Sequence, residues 1–350
     1  MFDSIDRRNV LRLSMGGLGM LALGPFLPAF ASGGRVLRIN TLAATAAVNV
    51  PMQVALKEGL AAIPGFAAPE VQPTARIPEI AKQVLAGQSD IGDADIASTL
   101  AAAEAGADVR ILGLSYGNTS QVIVANVDRF GTLAELVDGG GTIAVSGIGD
   151  FMHVMLLGVL DKHGLDATKV NFIEMGSSGD RMRALLAGRV DAVPMHVEQA
   201  EQIKSARGRG TFELLVKPWQ EYDHWYSAVV MSTASWLESD ENKAAAVGVL
   251  KSVLTSFRRS NDDYTWYKSK VAQYASSTDL REAGDDLLMP VWRTLSTEIN
   301  AFPPNMAELT AEGVAKVIPV YQKAGALKGT LDLDKIIDRS YLELALQELS

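Results

Sequence analysis

The chain has 350 residues, 48% of them hydrophobic and 21% charged, with a net charge of −9 and a pI near 5.1. That length suffices for two domains, and so acidic a chain lacks the basic face that nucleic acid requires. With no cysteine, disulfides, thiolate metal sites and cysteine nucleophiles are excluded.

The first 31 residues read as an export signal. Arg7 and Arg8 form a paired-arginine head, a glycine-bearing apolar run spans 13–27, and Ala29 and Ala31 supply the small residues of a cleavage site. This is the pattern of twin-arginine export, which places the protein in the periplasm. The apolar run is short and interrupted by Gly16, Gly17, Gly19, Gly24 and Pro25, which suits a signal better than a membrane span; an uncleaved anchor is the other reading. Without its three arginines and two aspartates the remainder carries −10.

From residue 35 the pattern alternates between strands and helices. Expected strands are 35–40, 70–74 and 91–96, separated by a helix opened by Pro51 and another opened by Pro78 and stopped at Gly87. A second unit repeats the arrangement: strand 142–145, turn Ser146-Gly147-Ile148-Gly149-Asp150, an apolar helix, strand 171–175, turn Gly176-Ser177-Ser178-Gly179-Asp180, a second helix, strand 192–195. Each βαβαβ unit calls for parallel strands, and ligands of such sheets sit beyond the strands' carboxyl ends, where the glycine turns are. The helices close alike, with Leu85-Ala86-Gly87-Gln88-Ser89-Asp90 and Leu186-Ala187-Gly188-Arg189-Val190-Asp191. Between the units lie strands 109–114 and 121–125; after them comes the apolar run 224–232. The runs at 121–125 and 225–231 are expected to cross between two lobes as hinge strands. Residues 238–350 are helical in pattern and are expected on the first lobe. The division is then 32–122 plus 230–350 for lobe 1 and 123–229 for lobe 2.

The order of these elements, with the run from Gly141 to Val193, the Gly164-Leu165-Asp166 turn and the Leu186–Asp191 motif, resembles the periplasmic solute-binding proteins of ABC importers in the nitrate, taurine, alkanesulfonate and thiamine-precursor group. The resemblance covers roughly 35–232. It implies an α/β type II periplasmic-binding fold, one ligand between two lobes, delivery to an inner-membrane ABC permease, a monomer, and no cofactor. It also marks the loop holding Thr41, Leu42 and Thr45 as the family's first contact with ligand.

Candidate contacts follow from position. Ser146, Gly147, Ile148, Gly149 and Asp150 open a helix whose free N–H groups suit an anion, although Asp150 or Ser146 could merely cap it, and a carboxylate there would repel an anion. Ser177 heads a similar loop. Asp93, Ala94 and Asp95 end a strand, and their acids could meet an ammonium or N–H on the ligand, or serve the protein's own groups. Tyr116, Trp219, Trp225 and Tyr226 lie near the expected cleft edges and could stack on a flat ligand or be core. His196 follows a strand toward the cleft and reads equally as a structural histidine. Arg76 could neutralise an acid or sit on the surface.

No metal-ligand spacing, nucleophile elbow or phosphate-binding loop occurs. The expected role is therefore capture of a small polar molecule, an anion such as a sulfonate, nitrate or carboxylate, a zwitterion, or a flat heteroaromatic. Two rivals stand beside it: an enzyme of menaquinone- or pyrimidine-pathway type on the same fold, and a sensory ligand-binding module.

Overall fold

Two five-stranded sheets of matching design carry the chain. The computed structural model describes residues 35–350 except 61–62, 64, 75–76, 205–207 and 209; the export segment and Arg76 lie outside the described residues. The strands are β1 (Arg38–Leu42), β2 (Glu70–Thr74), β3 (Ile91–Asp95), β4 (Val109–Leu114), β5 (Gln121–Asn126), β6 (Thr142–Val145), β7 (Asn171–Glu174), β8 (Ala192–His196), β9 (Phe212–Val216) and β10 (Ala228–Thr233). The helices that flank them are α1 (Val50–Glu58), α2 (Ile77–Leu85), α3 (Ile96–Glu104), α4 (Leu133–Asp138), α5 (Phe151–Lys162), α6 (Ser178–Leu186), α7 (Val197–Ile203) and α8 (Pro218–Glu221). The C-terminal part adds α9 (Asp240–Asp262), α10 (Tyr264–Tyr274), α11 (Thr278–Arg281), α12 (Asp285–Arg293), α13 (Ala311–Ala315), α14 (Ile318–Lys323), α15 (Leu333–Ile336) and α16 (Ser340–Glu348).

The sheet orders are β2-β1-β3-β10-β4 and β7-β6-β8-β5-β9. In each, three strands run parallel, and the fourth, β10 or β5, is antiparallel to both neighbours. The inner strands are buried on both faces, as helix-covered strands must be, with β3, β5 and β8 buried at every position, while the edge strands β2 and β7 have no fully buried residue.

The echoed hexapeptides have one physical job. Gly87 and Gly188 both adopt φ +67°, a left-handed cap that glycine takes without a Cβ penalty. The aspartate three residues on then grips the first residue of the neighbouring strand. Asp90 accepts from Arg38 N at 2.8 Å, and Asp191 from Thr142 N at 2.8 Å. An arginine closes each carboxylate from outside, Arg38 on Asp90 and Arg129 on Asp191.

Three expectations need correction. First, the hinge runs mostly do not cross between sheets: β5 belongs wholly to the second sheet and β10 to the first, and of the run 225–231 only residues 225–227 lie in a crossing. The crossings are the segments before them, 115–120 and 217–227, and Asn118 ties the two by accepting from Trp225 N at 2.9 Å. A strand needs a ladder partner along its length, so the change of sheet falls where the ladder lapses. Second, β9 was missed, because its Phe-Glu-Leu-Leu-Val sequence is a half-exposed edge without clean alternation. Third, the C-terminal helices do not all sit on the first sheet. α9 packs on α1, but α12 packs on α7 and α14 on α5. Gly158 permits the latter approach, since a Cβ there would lie 2.6 Å from Val320 Cγ1. Among the described residues no helix is long and apolar enough to cross a membrane.

Candidate functional site

A cleft lies where the carboxyl ends of the two sheets meet. From the first sheet it is lined by Leu42 at the end of β1, Thr45 beyond it, Ile77 and Pro78 at the start of α2, and Tyr116 in the first crossing. From the second sheet come Gln121, Ser146, Gly147, Asp150, Phe151, Met152, Gly176, Ser177, Ser178, Arg181 and His196. It is a partly open cleft of about 120 Å³. That is room for a small molecule.

Arg181 is its floor. The α6 residue is only 2% exposed, and its Nε and Nη1 donate to the carbonyls of Pro194 (3.1 Å) and Gly176 (2.6 Å). No hydrogen bond reaches Nη2 among the described residues, and no carboxylate lies within ion-pair distance of the guanidinium. Burial pulls its pKa down to about 10, with Asp150 and Asp180 opposing. It remains a cation at neutral pH.

Asp150 is the opposing charge. It caps α5 by accepting from His153 N at 2.9 Å and takes the Ser146 hydroxyl on its other oxygen. Burial raises its pKa, while Ser146, the capped backbone and Arg181 hold it back. The helix N-terminus is therefore already satisfied by the protein's own carboxylate.

His196 sits beside Gln121. Its Nδ1 lies 2.8 Å from Ser120 Oγ and its Nε2 2.9 Å from Gln121 Nε2. Burial, then the nearby Arg181, drives its pKa down to about 3, so it is a neutral hydrogen-bonding group in the physiological range. Gln121 Oε1 is buried without a partner.

Of the residues singled out in the sequence, Leu42, Thr45, Tyr116, Ser146, Gly147, Asp150, Ser177 and His196 line this cleft. The others are placed elsewhere. Thr41 is buried behind it and donates to Asp93 at 2.8 Å. Asp93 also accepts from Ser115 Oγ (2.9 Å) and Leu42 N (3.3 Å), bolting two loops together behind the cleft. Its pKa rises to about 6 through burial. Ala94 pairs in register with Val229 inside the sheet. Asp95 caps α3 through Ser98 N at 2.7 Å and reaches across to Phe151 N at 3.2 Å, the first residue of α5. Ile148 points to solvent, 53% exposed, while its N–H donates to Glu174. Gly149 donates to His153 Nδ1 at 3.0 Å.

The aromatic pair is core. Trp225 is fully buried and stacked on Tyr321, and the Tyr226 hydroxyl donates to Glu308 O at 2.6 Å. Trp219 borders a separate groove with Pro290 and Val291 of α12. Sequence reasoning missed Arg181 and Gln121, the two most informative polar residues. Arg181 reads as a surface arginine between Asp180 and Met182, and only the carbonyls of Gly176 and Pro194 draw it inward.

A family model described as NMT1/THI5 like matches residues 70–255. The chain belongs to the NMT1/THI5-like family. No curated protein matches its sequence. Among solved structures, the nitrate-binding protein NrtA of Synechocystis PCC 6803 superposes with a TM-score of 0.72 at 12% identity, covering 91% of this chain and 90% of that one. A ligand-binding component of an ABC-type import system from Staphylococcus aureus, with zinc bound, gives 0.70 at 12% identity, covering 89% and 99%. The alkanesulfonate-binding protein SsuA of Xanthomonas axonopodis pv. citri, bound to MOPS, gives 0.65 at 18% identity, covering 87% and 98%. At such identities the likeness is one of fold, and the fold is that of the periplasmic binding proteins. Among the described residues no group of three or more His, Asp or Glu is placed to hold a metal.

Proposed function

We propose that this NMT1/THI5-like chain is the exported substrate-binding protein of an ABC importer. It holds one small polar molecule between the two sheets and delivers it unchanged to an inner-membrane permease. The division is taken at 32–122 with 230–350, and 123–229, with the segments 115–120 and 217–227 as the hinge between the two sheets and α12 and α14 of the C-terminal part leaning on the second lobe. Export follows the twin-arginine route to the periplasm, and the protein works as a monomer without a cofactor. Closure is a population shift: the ligand touches both sheets only in the closed form and binds that form better.

The observation that carries this reading is Arg181, a buried cation in the cleft with an amino group left over. Burying a charge without a partner is costly, and a ligand that completes its hydrogen bonds returns that cost as affinity. The ligand-binding residues are then Leu42, Thr45, Tyr116, Gln121, Ser146, Asp150, Ser177, Arg181 and His196.

Thermal-shift screening of the purified chain against nitrate, sulfonates, carboxylates, zwitterions and pyrimidines tests it. A true ligand at a hundred times its Kd stabilises by about 2.7 kcal/mol. Arg181→Gln should weaken the hit at least tenfold. Recovery of the ligand unaltered after long incubation supports transport. Appearance of a product, or full affinity in the Arg181→Gln variant, overturns the proposal.

A further inference from the structure

We propose that the cleft continues into an outer chamber that selects hydroxyl groups, with Glu198 at its base, so that the cargo is a polyhydroxylated acid rather than a bare one. This rests on the binding-protein reading above.

Thr45, Ser177 and Ser178 line both the cleft and a wider groove of about 520 Å³, so the two spaces are continuous. The groove runs between α6 and α7 on one side and the turn from α10 to α11 on the other. Glu198, one of its lining residues, is 2% exposed. One carboxyl oxygen accepts from Ala47 N at 2.9 Å, while Oε2 is buried without a partner among the described residues. A buried polar atom left unpaired is costly, and a ligand in the groove can pair it. Burial lifts the Glu198 pKa to about 7, so both of its forms are populated near neutrality. Ionised, Oε2 needs a donor; protonated, it needs an acceptor. A hydroxyl serves as either. An ammonium serves only the first form, and a second carboxylate only the other.

The rest of the chamber agrees. The hydroxyls of Ser178 and Ser276 have no partner among the described residues. Gln199 spends its Oε1 on His196 N at 3.0 Å and keeps its amide N–H groups. The chamber's cation, Arg183, is paired with Asp180, and its second acid, Asp279, is exposed to solvent, so no buried cation there calls for an anion. Met182 and Leu186 on α6 give it an apolar side, against which the C–H face of a hydroxylated chain can lie. The acid group of such a molecule belongs in the inner cleft at Arg181, whose volume of about 120 Å³ leaves the hydroxylated part to the chamber.

The test is calorimetric titration of the full chain at pH 8 with D-gluconate, hexanoate and D-glucitol: the hydroxylated acid, the same chain without its hydroxyls, and the hydroxyls without the acid. Gluconate should bind at least tenfold more tightly than either. Ser276→Trp, a change at an exposed position that fills the chamber, should cut the advantage of gluconate over hexanoate at least fivefold. Glu198→Gln keeps a carbonyl for Ala47 N but replaces the free carboxylate oxygen, a charge-assisted acceptor, with a neutral donor; it should cut that advantage threefold or more. Because the advantage is a ratio, a change in how the sheets close cancels from it. Hexanoate equal to gluconate, or the advantage intact in either variant, overturns the chamber while leaving the binding-protein reading in place. Glucitol as tight as gluconate overturns the hydroxylated acid, since Arg181 then plays no part. If none of the three binds, the proposal also falls, and a hit in the wider thermal-shift panel decides whether the binding-protein reading survives.

Discussion

Trp225→Ala should destabilise the protein by about 3–5 kcal/mol, the range for truncating a fully buried tryptophan, while leaving ligand affinity of the folded fraction within threefold. Trp225 is 0% exposed. Its ring stacks on Tyr321 of α14 with centroids 6.0 Å apart and planes within 7°, and meets Tyr222 at 4.8 Å. It lies in the second crossing, and its backbone N–H is bound by Asn118 of the first. Its side chain therefore packs the second crossing against α14, while its backbone ties that crossing to the first. Its indole Nε1 has no hydrogen-bond partner, so its contribution is shape and area rather than polarity. Trp225→Phe should accordingly recover more than half of the loss. Denaturant unfolding with parallel ligand titration at low temperature is the measurement. A large loss of affinity with little loss of stability would return Trp225 to the binding site.

How much of this was legible beforehand divides along physical lines. The parallel strands announce themselves as short apolar runs between glycine-stopped helices, and the repeated Leu-Ala-Gly motif marks the same point in both sheets, because the cap and the gripping aspartate are local devices. The loop of Ser146 to Asp150 could be placed at the cleft for the same reason. What could not be read depends on partners far along the chain. Whether Trp225 faces a ligand or a core is decided by Tyr321. Asp93 and Asp95 stand on alternate strand positions that suggest one face, yet one is consumed by Thr41 and Ser115 and the other by two helix ends. The burial of Arg181 depends on two carbonyls that no periodicity marks. The export segment, read from its own sequence pattern, lies outside the described residues.

Stability, and with it ligand affinity, should fall as pH rises from 6.5 to 8, by roughly 1.5 kcal/mol or tenfold in an equilibrium constant. Two carboxylates join the sheets by crossing over. Asp95, at the end of β3 in the first sheet, accepts from Phe151 N at the start of α5. Glu198, just past β8 in the second, accepts from Ala47 N at 2.9 Å in the loop after β1, whose carbonyl in turn takes the Tyr267 hydroxyl. Each acid thus sits at the head of a helical turn belonging to the opposite sheet. Burial, aided by Asp150, lifts Asp95 to about 7; burial lifts Glu198 to about 7, and its Oε2 has no partner. A folded-state pKa above the unfolded value means the folded form holds the extra proton. Stability from these groups is therefore fully present below the ordinary carboxylate range and is lost as pH climbs through 7. His196 works in the opposite direction, but only below its unfolded value near 6.5, so the chosen window isolates the acids. Asp93, at about 6, adds only a small slope there. In the double variant Asp95→Asn, Glu198→Gln the titration is gone; Gln keeps its carbonyl for Ala47 N, while Asn keeps only one of the two acceptors that Asp95 offers to Ser98 N and Phe151 N. Its stability should start lower at pH 6.5 but stay nearly flat across the window. Unfolding midpoints and Kd measured at pH 6.5, 7.2 and 8 settle the matter, and a variant whose slope matches the wild type would show that these two bonds do not govern how the sheets come together.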